Sequence, residues 1–247
     1  MKLGEFELNK IYCMDCLEGL KKIPDNSVDL VVTSPPYNKG SADRKIGKTD
    51  SWKKANIGYG DFKDNLPERK YQEWQKNVLK ECIRVLKPSG SIFYNHKPRI
   101  INHTIISPFE WLSKFLIKQR IVWLRNGSPT LEPIRFMPNT EDIFWIIKER
   151  KTPKFTGSAF NYGEVWKINV KSEKEHPAPF PIELPRRCIK SCTNERDIVL
   201  DPFIGSGTTA LASQQLNRNF IGFEINPEYC KIANKRLEQE NINQFIR

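Results

Sequence analysis

A chain of 247 residues is long enough to bury a substantial core without disulfide or metal staples, and it suits one large α/β domain better than two small ones. Lys+Arg 40 against Asp+Glu 29 leaves a net charge of +11 and a sequence pI of about 9.3, which favours a polyanionic partner, nucleic acid ahead of a membrane surface. No apolar run approaches the roughly 18 residues of a membrane helix, and Met1 to Asn9 lack a secretory apolar segment, so this reading disfavours spanning and secretion and expects a cytoplasmic protein with no membrane partner.

In chain order, the first clear element is the apolar run Val28 to Thr33, which reads as a buried strand. Ser34-Pro35-Pro36-Tyr37 stops it, because prolines cannot extend a central strand. Residues 38–65 are polar, glycine-bearing and aperiodic, and predict a long loop of the kind that carries function. Trp74, Val78, Cys82 and Val85 share one face of a helix predicted over Tyr71 to Leu86. Lys87-Pro88-Ser89-Gly90 ends it, and Ser91 to Asn95 follows as a strand. A further helix is expected around Glu110 to Ile117. Two apolar runs, Arg120 to Arg125 and Asp142 to Lys148, look like antiparallel neighbours at a sheet edge. Residues 148–174 are basic and irregular, with a strand candidate at Glu164 to Val170. The proline-rich segment from His176 to Pro181 opens a short helix through Ile189.

The remainder is a βαβ unit and a helix. Ile198 to Asp201 and Phe220 to Glu224 are strands, Gly205-Ser206-Gly207 is a tight turn, and Thr208 to Leu216 and Pro227 to Glu240 are helices. Strands and helices alternating in this way imply an α/β fold with a doubly wound, mostly parallel sheet carrying an antiparallel edge hairpin. One domain over 1–247 is expected, with 38–65 and 148–174 as insertions.

Cys13-x-x-Cys16 and Cys188-x-x-x-Cys192 do not supply the compact ligand spacing of a zinc module, and His96, His103 and His176 show no paired metal spacing. No metal is expected. Cys82 and Cys230 read as small buried thiols in helices.

A strand, a glycine turn and a helix N-terminus make a ready anion site, since unpaired backbone N–H groups point outward there. Gly205-x-Gly207-x-x-Ala210, with Glu224 at the end of the next strand, satisfies the loose dinucleotide fingerprint, so a nicotinamide enzyme is a rival reading of this fragment. A purely structural βα turn is another. The Lys-Ser/Thr of a P-loop is absent.

Asp201-Pro202-Phe203-Ile204-Gly205-Ser206-Gly207-Thr208-Thr209 resembles the S-adenosylmethionine motif of DNA amino-methyltransferases, and Thr33-Ser34-Pro35-Pro36-Tyr37 resembles their catalytic motif. Catalytic motif first and cofactor motif near the C-terminus is the order of the circularly permuted β-class. Leu86 to Gly90, His176 to Pro185 and Phe223 to Tyr229 add further matches. The resemblance implies a Rossmann-like methyltransferase sheet and S-adenosylmethionine as cofactor. It places Asp15, Cys16, His176, Asp201, Phe203, Gly205, Ser206, Gly207, Thr208, Glu224 and Ile225 around that cofactor. Glu224 would bond the ribose hydroxyls, Ile225 would pack on adenine, Asp15 would accept from the adenine amine, and the His176 segment would close over the methionine carboxylate. For Asp15, a helix N-cap is the alternative.

An exocyclic amine on a nucleobase is a poor nucleophile, because its lone pair is delocalised into the ring. Acceptors that hold its hydrogens let the nitrogen rehybridise. Ser34 Oγ and a backbone carbonyl within Ser34-Pro35-Pro36 suit that task, with the prolines stiffening their geometry, and Tyr37 suits stacking on a flipped base. A carbon-5 cytosine mechanism requires a cysteine after proline, and no cysteine here follows one. Ser34 in the first motif position, with the His176 to Pro185 segment, resembles the cytosine-N4 subgroup. Adenine N6 and an inactive DNA-binding relative stay as alternatives.

Double-stranded DNA is the expected partner, with a companion restriction enzyme and a homodimer left open. Asn38, Lys39, Arg44, Lys45, Lys53 and Lys54, interleaved with Trp52, Tyr59 and Phe62, suit phosphate contacts and stacking; a solvated basic loop is the alternative. Residues 148–174 occupy the position of a short target-recognition region.

Overall fold

The computed structural model describes residues 1–38, 64–126, 136–157, 161–169 and 181–246. Its strands are β1 (Lys2–Leu3), β2 (Phe6–Glu7), β3 (Lys10–Cys13), β4 (Val28–Thr33), β5 (Leu86–His96), β6 (Arg99–Ile101), β7 (Thr104–Ile106), β8 (Leu116–Leu124), β9 (Thr140–Ile147), β10 (Val165–Lys167), β11 (Ile198–Asp201) and β12 (Asn219–Glu224). The helices are α1 (Cys16–Lys21), α2 (Glu68–Val85), α3 (Phe109–Leu112), α4 (Glu183–Cys192), α5 (Thr208–Gln215) and α6 (Pro227–Ile246).

Eight strands form one sheet in the order β10-β8-β9-β5-β4-β11-β12-β3. Every pairing is parallel except the two that β9 makes, with β5 and with β8. The sheet is apolar on both faces, so its central strands read as continuous hydrophobic runs. Along β4, Val31 faces a core shared with Leu20, Leu79 and Phe223, while Leu30 and Val32 face another shared with Leu184, Ile189 and Ala212. Helices α1 and α2 therefore cover one face, and α4 and α5 the other. A third cluster of Ile204, Ala210, Phe220, Ala233 and Leu237 seats α6 beside α5.

The expected doubly wound sheet with its antiparallel hairpin is present. The hairpin β8–β9 is not the outermost pair, because Val165–Lys167 adds β10 parallel to β8. The helix expected over Glu110 to Ile117 is corrected: only the short turn Phe109–Leu112 is helical, and Leu116 and Ile117 already pair with Ile147 and Ile146 of β9. Cross-strand pairing overrides the local helical spacing there. The helix ends before Lys87 to Gly90 as expected, at Val85, and these residues form an irregular entry into β5, where the register with β4 jumps from Val28↔Leu86 to Leu30↔Ser91. The hairpins β1–β2 and β6–β7 carried no recognised sequence signal.

The crossover after β4 leads through α2 to β5 on one side; the crossover after β11 leads through α5 to β12 on the other. Neighbouring strands whose connections depart in opposite directions open a crevice at their C-terminal ends, the usual place for a ligand in an open α/β sheet. Ser34 follows β4 and Gly205 follows β11, so both motifs meet at this crevice.

Candidate active site

The glycine turn begins at Asp201, whose carboxylate is 1% exposed. Oδ1 accepts from Thr33 Oγ1 at 2.7 Å and from the Phe203 amide at 3.0 Å, and Oδ2 accepts from Thr209 Oγ1 at 2.7 Å. Burial pushes this carboxyl up to about 6, against the opposing pull of those three donors. Asp201 thus braces the turn to the residue preceding Ser34, and its side chain contacts protein.

Gly205 and Gly207 have φ of 52° and 84°, a region that L side chains rarely adopt. A Cβ on Gly207 would also lie 2.9 Å from Ala233 Cβ, so the turn must be glycine for α6 to pack. Gly207 is the N-cap of α5 and makes no side-chain cap bond, which leaves the helix start lined by backbone N–H groups. Ser206 Oγ accepts from Arg236 Nη1 at 3.0 Å, and Thr208 Oγ1 lies 3.5 Å from the same nitrogen, so both side chains turn toward α6. Phe203 packs edge-on against Trp74 at 5.4 Å.

At the end of β12, Glu224 Oε2 accepts from the Gly205 amide at 3.0 Å and Oε1 from the Asn226 amide at 2.8 Å. Burial raises its carboxyl above the ordinary range while these amides pull it down. Ile225 beside it is an apolar side chain 37% exposed. Strand β3 pairs with β12 so that Cys13 lies opposite Glu224, which brings Asp15 to the same edge. Asp15 Oδ1 accepts from the Leu17 and Glu18 amides at 2.8 and 3.2 Å, so the N-cap alternative is realised. Cys16 is buried in the core and its thiol is pushed well up by desolvation. A buried and a half-buried acid, an exposed aliphatic side chain and a glycine cradle fit a nucleoside bearing a charged tail. Among the described residues, no three His, Cys, Asp or Glu side chains converge as a metal site.

Ser34 and Tyr37 are half-buried and flank the buried Pro35 and Pro36. The Pro36 carbonyl accepts from Tyr71 Oη at 2.8 Å, which leaves Ser34 and Pro35 as carbonyl acceptors for a ligand. Ser34 Oγ and Tyr37 Oη are 2.9 Å apart, and Tyr37 Oη donates to Glu141 Oε2 at 3.0 Å. Asn95 Nδ2 donates to Tyr37 Oη and Glu141 Oε2 at 2.8 and 2.9 Å, and lies 3.4 Å from Ser34 Oγ. Arg125 Nη1 faces Glu141 Oε1 at 3.2 Å. Asn95, Arg125 and Glu141 were not among the residues singled out by motif. Asn95 is the last residue but one of β5, Glu141 the second of β9, and Arg125 follows β8, so only the sheet pairing brings them to Ser34.

Asn38 does not present its side chain to the crevice. Its Nδ2 donates to the Leu66 carbonyl at 2.8 Å, and its Oδ1 accepts from the Leu66 amide at 2.7 Å, so it clamps the two ends of the 38–65 segment. His176, Lys39, Arg44, Lys45, Lys53 and Lys54 lie outside the described residues.

The Ser34 turn and the glycine turn are braced to each other at the switch point through Thr33 and Asp201. Residues 28–235 match the DNA methylase family that modifies N6 or N4 amines, and the chain belongs to that family. It is 36% identical to Type II methyltransferase M.BglII from Bacillus subtilis, over 96% of this chain and 72% of the relative. It is 32% identical to the DNA adenine methyltransferase YhdJ of Escherichia coli K12, over 91% of this chain and 81% of the relative. The PvuII DNA methyltransferase, described as cytosine-N4-specific, shares the fold with a TM-score of 0.70 at 23% identity, over 91% of this chain and 84% of that one. The M1.HpyAVI–SAM complex superimposes with a TM-score of 0.63 at 27% identity, over 92% of this chain and 98% of that one.

Proposed function

We propose that this DNA methyltransferase modifies the exocyclic N4 amine of cytosine in double-stranded DNA. The observation that carries the reading is a neutral hydroxyl, Ser34, in the first position of the catalytic motif, held at the crevice by Thr33, Asp201 and the two prolines. S-adenosylmethionine is the cofactor, and it supplies an electrophilic methyl group on a sulfonium. Glu224 and Asp15 hold the nucleoside end by its hydroxyls and amine, Ile225 covers the base, and the turn from Phe203 through Gly205, Ser206, Gly207 and Thr208 holds the amino-acid end together with His176.

Toward the target, Ser34 Oγ accepts one amine hydrogen and a carbonyl of Ser34 or Pro35 accepts the other. That pair draws the nitrogen lone pair out of conjugation, and Tyr37 packs against the flipped base. Lys39, Arg44, Lys45, Lys53 and Lys54 meet phosphates, and residues 148–174 contribute to base readout. The whole chain works as a single domain in the cytoplasm, beside a companion restriction enzyme or as a homodimer.

Adenine N6 is the second reading. It is favoured by the 32% identity to an adenine methyltransferase, and an acceptor pair of this kind serves either amine. An inactive DNA-binding relative has no need of both intact motifs.

Incubation with labelled S-adenosylmethionine and mixed duplex DNA, followed by nucleoside mass spectrometry, separates these readings. N4-methylcytosine is expected; N6-methyladenine alone overturns the cytosine assignment. Ser34→Ala keeps the prolines and removes the acceptor, so single-turnover methylation should fall about ten- to a thousand-fold while cofactor affinity stays. Full turnover in that variant would remove Ser34 from the mechanism.

A further inference from the structure

We propose that Glu141 is a positioning residue that fixes the direction of the hydrogen bonds around Ser34, so that the Ser34 hydroxyl faces a target amine only as an acceptor. The inference rests on the amine-methylation reading above and adds a residue that no motif marks.

A serine hydroxyl has one proton and two lone pairs, and left to itself it can point that proton at the substrate nitrogen. Such a donor would engage the lone pair that must attack the methyl group. Something must therefore commit the Ser34 proton elsewhere. Its hydrogen-bond partners decide where it goes.

Glu141 Oε2 is a carboxylate oxygen, which accepts and does not donate. Tyr37 Oη lies 3.0 Å away and must give Glu141 its one proton. Tyr37 Oη then has only acceptor capacity left for its neighbour Ser34 Oγ at 2.9 Å. Ser34 is thereby obliged to donate to Tyr37, and its lone pairs are turned away from that bond. The chain runs in one direction, from Ser34 Oγ to Tyr37 Oη to Glu141 Oε2. Asn95 reinforces it, because its Nδ2 donates to both Tyr37 Oη and Glu141 Oε2 and so blocks Tyr37 from turning its proton toward Asn95. Arg125 faces the other carboxylate oxygen, leaving Oε2 for the chain. Glu141 is 7% exposed and Asn95 2% exposed, so water competes little for these bonds.

A glutamine at 141 is nearly isosteric but carries an amide. It can donate to Tyr37, reverse the chain and turn the Tyr37 proton onto Ser34, occupying a lone pair the amine needs. Glu141→Gln should therefore lower the single-turnover methylation rate of the full-length protein about ten- to a hundred-fold. DNA affinity by fluorescence anisotropy and the unfolding temperature should change little. Tyr37→Phe keeps the ring and breaks the chain, so it should show a loss of similar size. Once the chain is broken, Glu141 has nothing to act through, and the double variant should be no slower than the slower single one.

A rate for Glu141→Gln or for Tyr37→Phe equal to that of an active wild type overturns the proposal. So do losses that multiply in the double variant, which would assign Glu141 a separate structural role. If Glu141→Gln does not fold, the Tyr37→Phe rate alone decides. A wild type that methylates neither cytosine nor adenine overturns the amine reading itself, and this inference with it.

Discussion

Glu224 braces two turns at the crevice edge, where the proposed function also gives it the cofactor ribose. Its two oxygens accept from the Gly205 and Asn226 amides, so the acid shapes the turn. Charge-assisted bonds of this kind are worth roughly 1.5–3 kcal/mol. Glu224→Ala should therefore weaken S-adenosylmethionine binding by tenfold or more in calorimetry, on the order set by that range. It should also lower the unfolding temperature without ligand, because a buried and a half-buried amide lose their acceptor. Glu224→Gln keeps an acceptor and should recover more of the stability than of the affinity. Equal recovery of both would mean that the acid serves the turn alone. Asp15 Oδ1 caps α1; residue type alone left both the cap and a ligand role open, and the structure realises the cap.

Among the elements, the 38–65 segment is the one whose role is most directly testable. Asn38, one residue after Tyr37, is hydrogen-bonded to Leu66, so the two ends of the segment meet beside the Ser34 turn. If Lys53 and Lys54 meet phosphates, affinity for DNA should fall with salt at a log–log slope near −0.9 for each contact. Lys53→Ala with Lys54→Ala should flatten that slope by up to about two and spare cofactor affinity. An unchanged slope in binding titrations would return the segment to a solvated basic loop. Elements defined by a continuous apolar run, such as β4 and β11, were legible because burial on both faces leaves no other composition. The strand at Leu116 and Ile117 was not, since its partner Ile146–Ile147 lies in a distant part of the chain and local spacing favours a helix.

At the scale of the molecule, Asp201 sits where two distant motifs are joined, and its burial carries a pH consequence. Its folded carboxyl is pushed up to about 6, above the roughly 3.9 of an exposed aspartate. Between those values the folded protein keeps a proton that the unfolded chain has lost. Stability from this group is therefore highest below about 4, falls as pH rises through the window and levels off above about 6. The full change is on the order of 3 kcal/mol. Asp201→Asn removes the titration, so the difference in unfolding free energy between wild type and variant should shift toward the variant as pH rises from 4 to 7. Denaturant melts across that range measure it, and a constant difference would show that Asp201 does not titrate there.

The sequence by itself determined the alternation of strands and helices, the glycine turn, the Ser34-Pro35-Pro36-Tyr37 stop and the acid at the end of β12. Each of these is a local requirement of backbone conformation or burial, written in neighbouring residues. The tertiary structure alone decided which side chains surround Ser34. Thr33 meets Asp201 because β4 and β11 are adjacent at the switch point, although they are 168 positions apart. Asn95 and Glu141 meet Tyr37 because β9 runs antiparallel to β5 and returns its first residues to the crevice. Hydrogen-bond direction depends on partners brought together by that pairing, and no spacing along the chain encodes it.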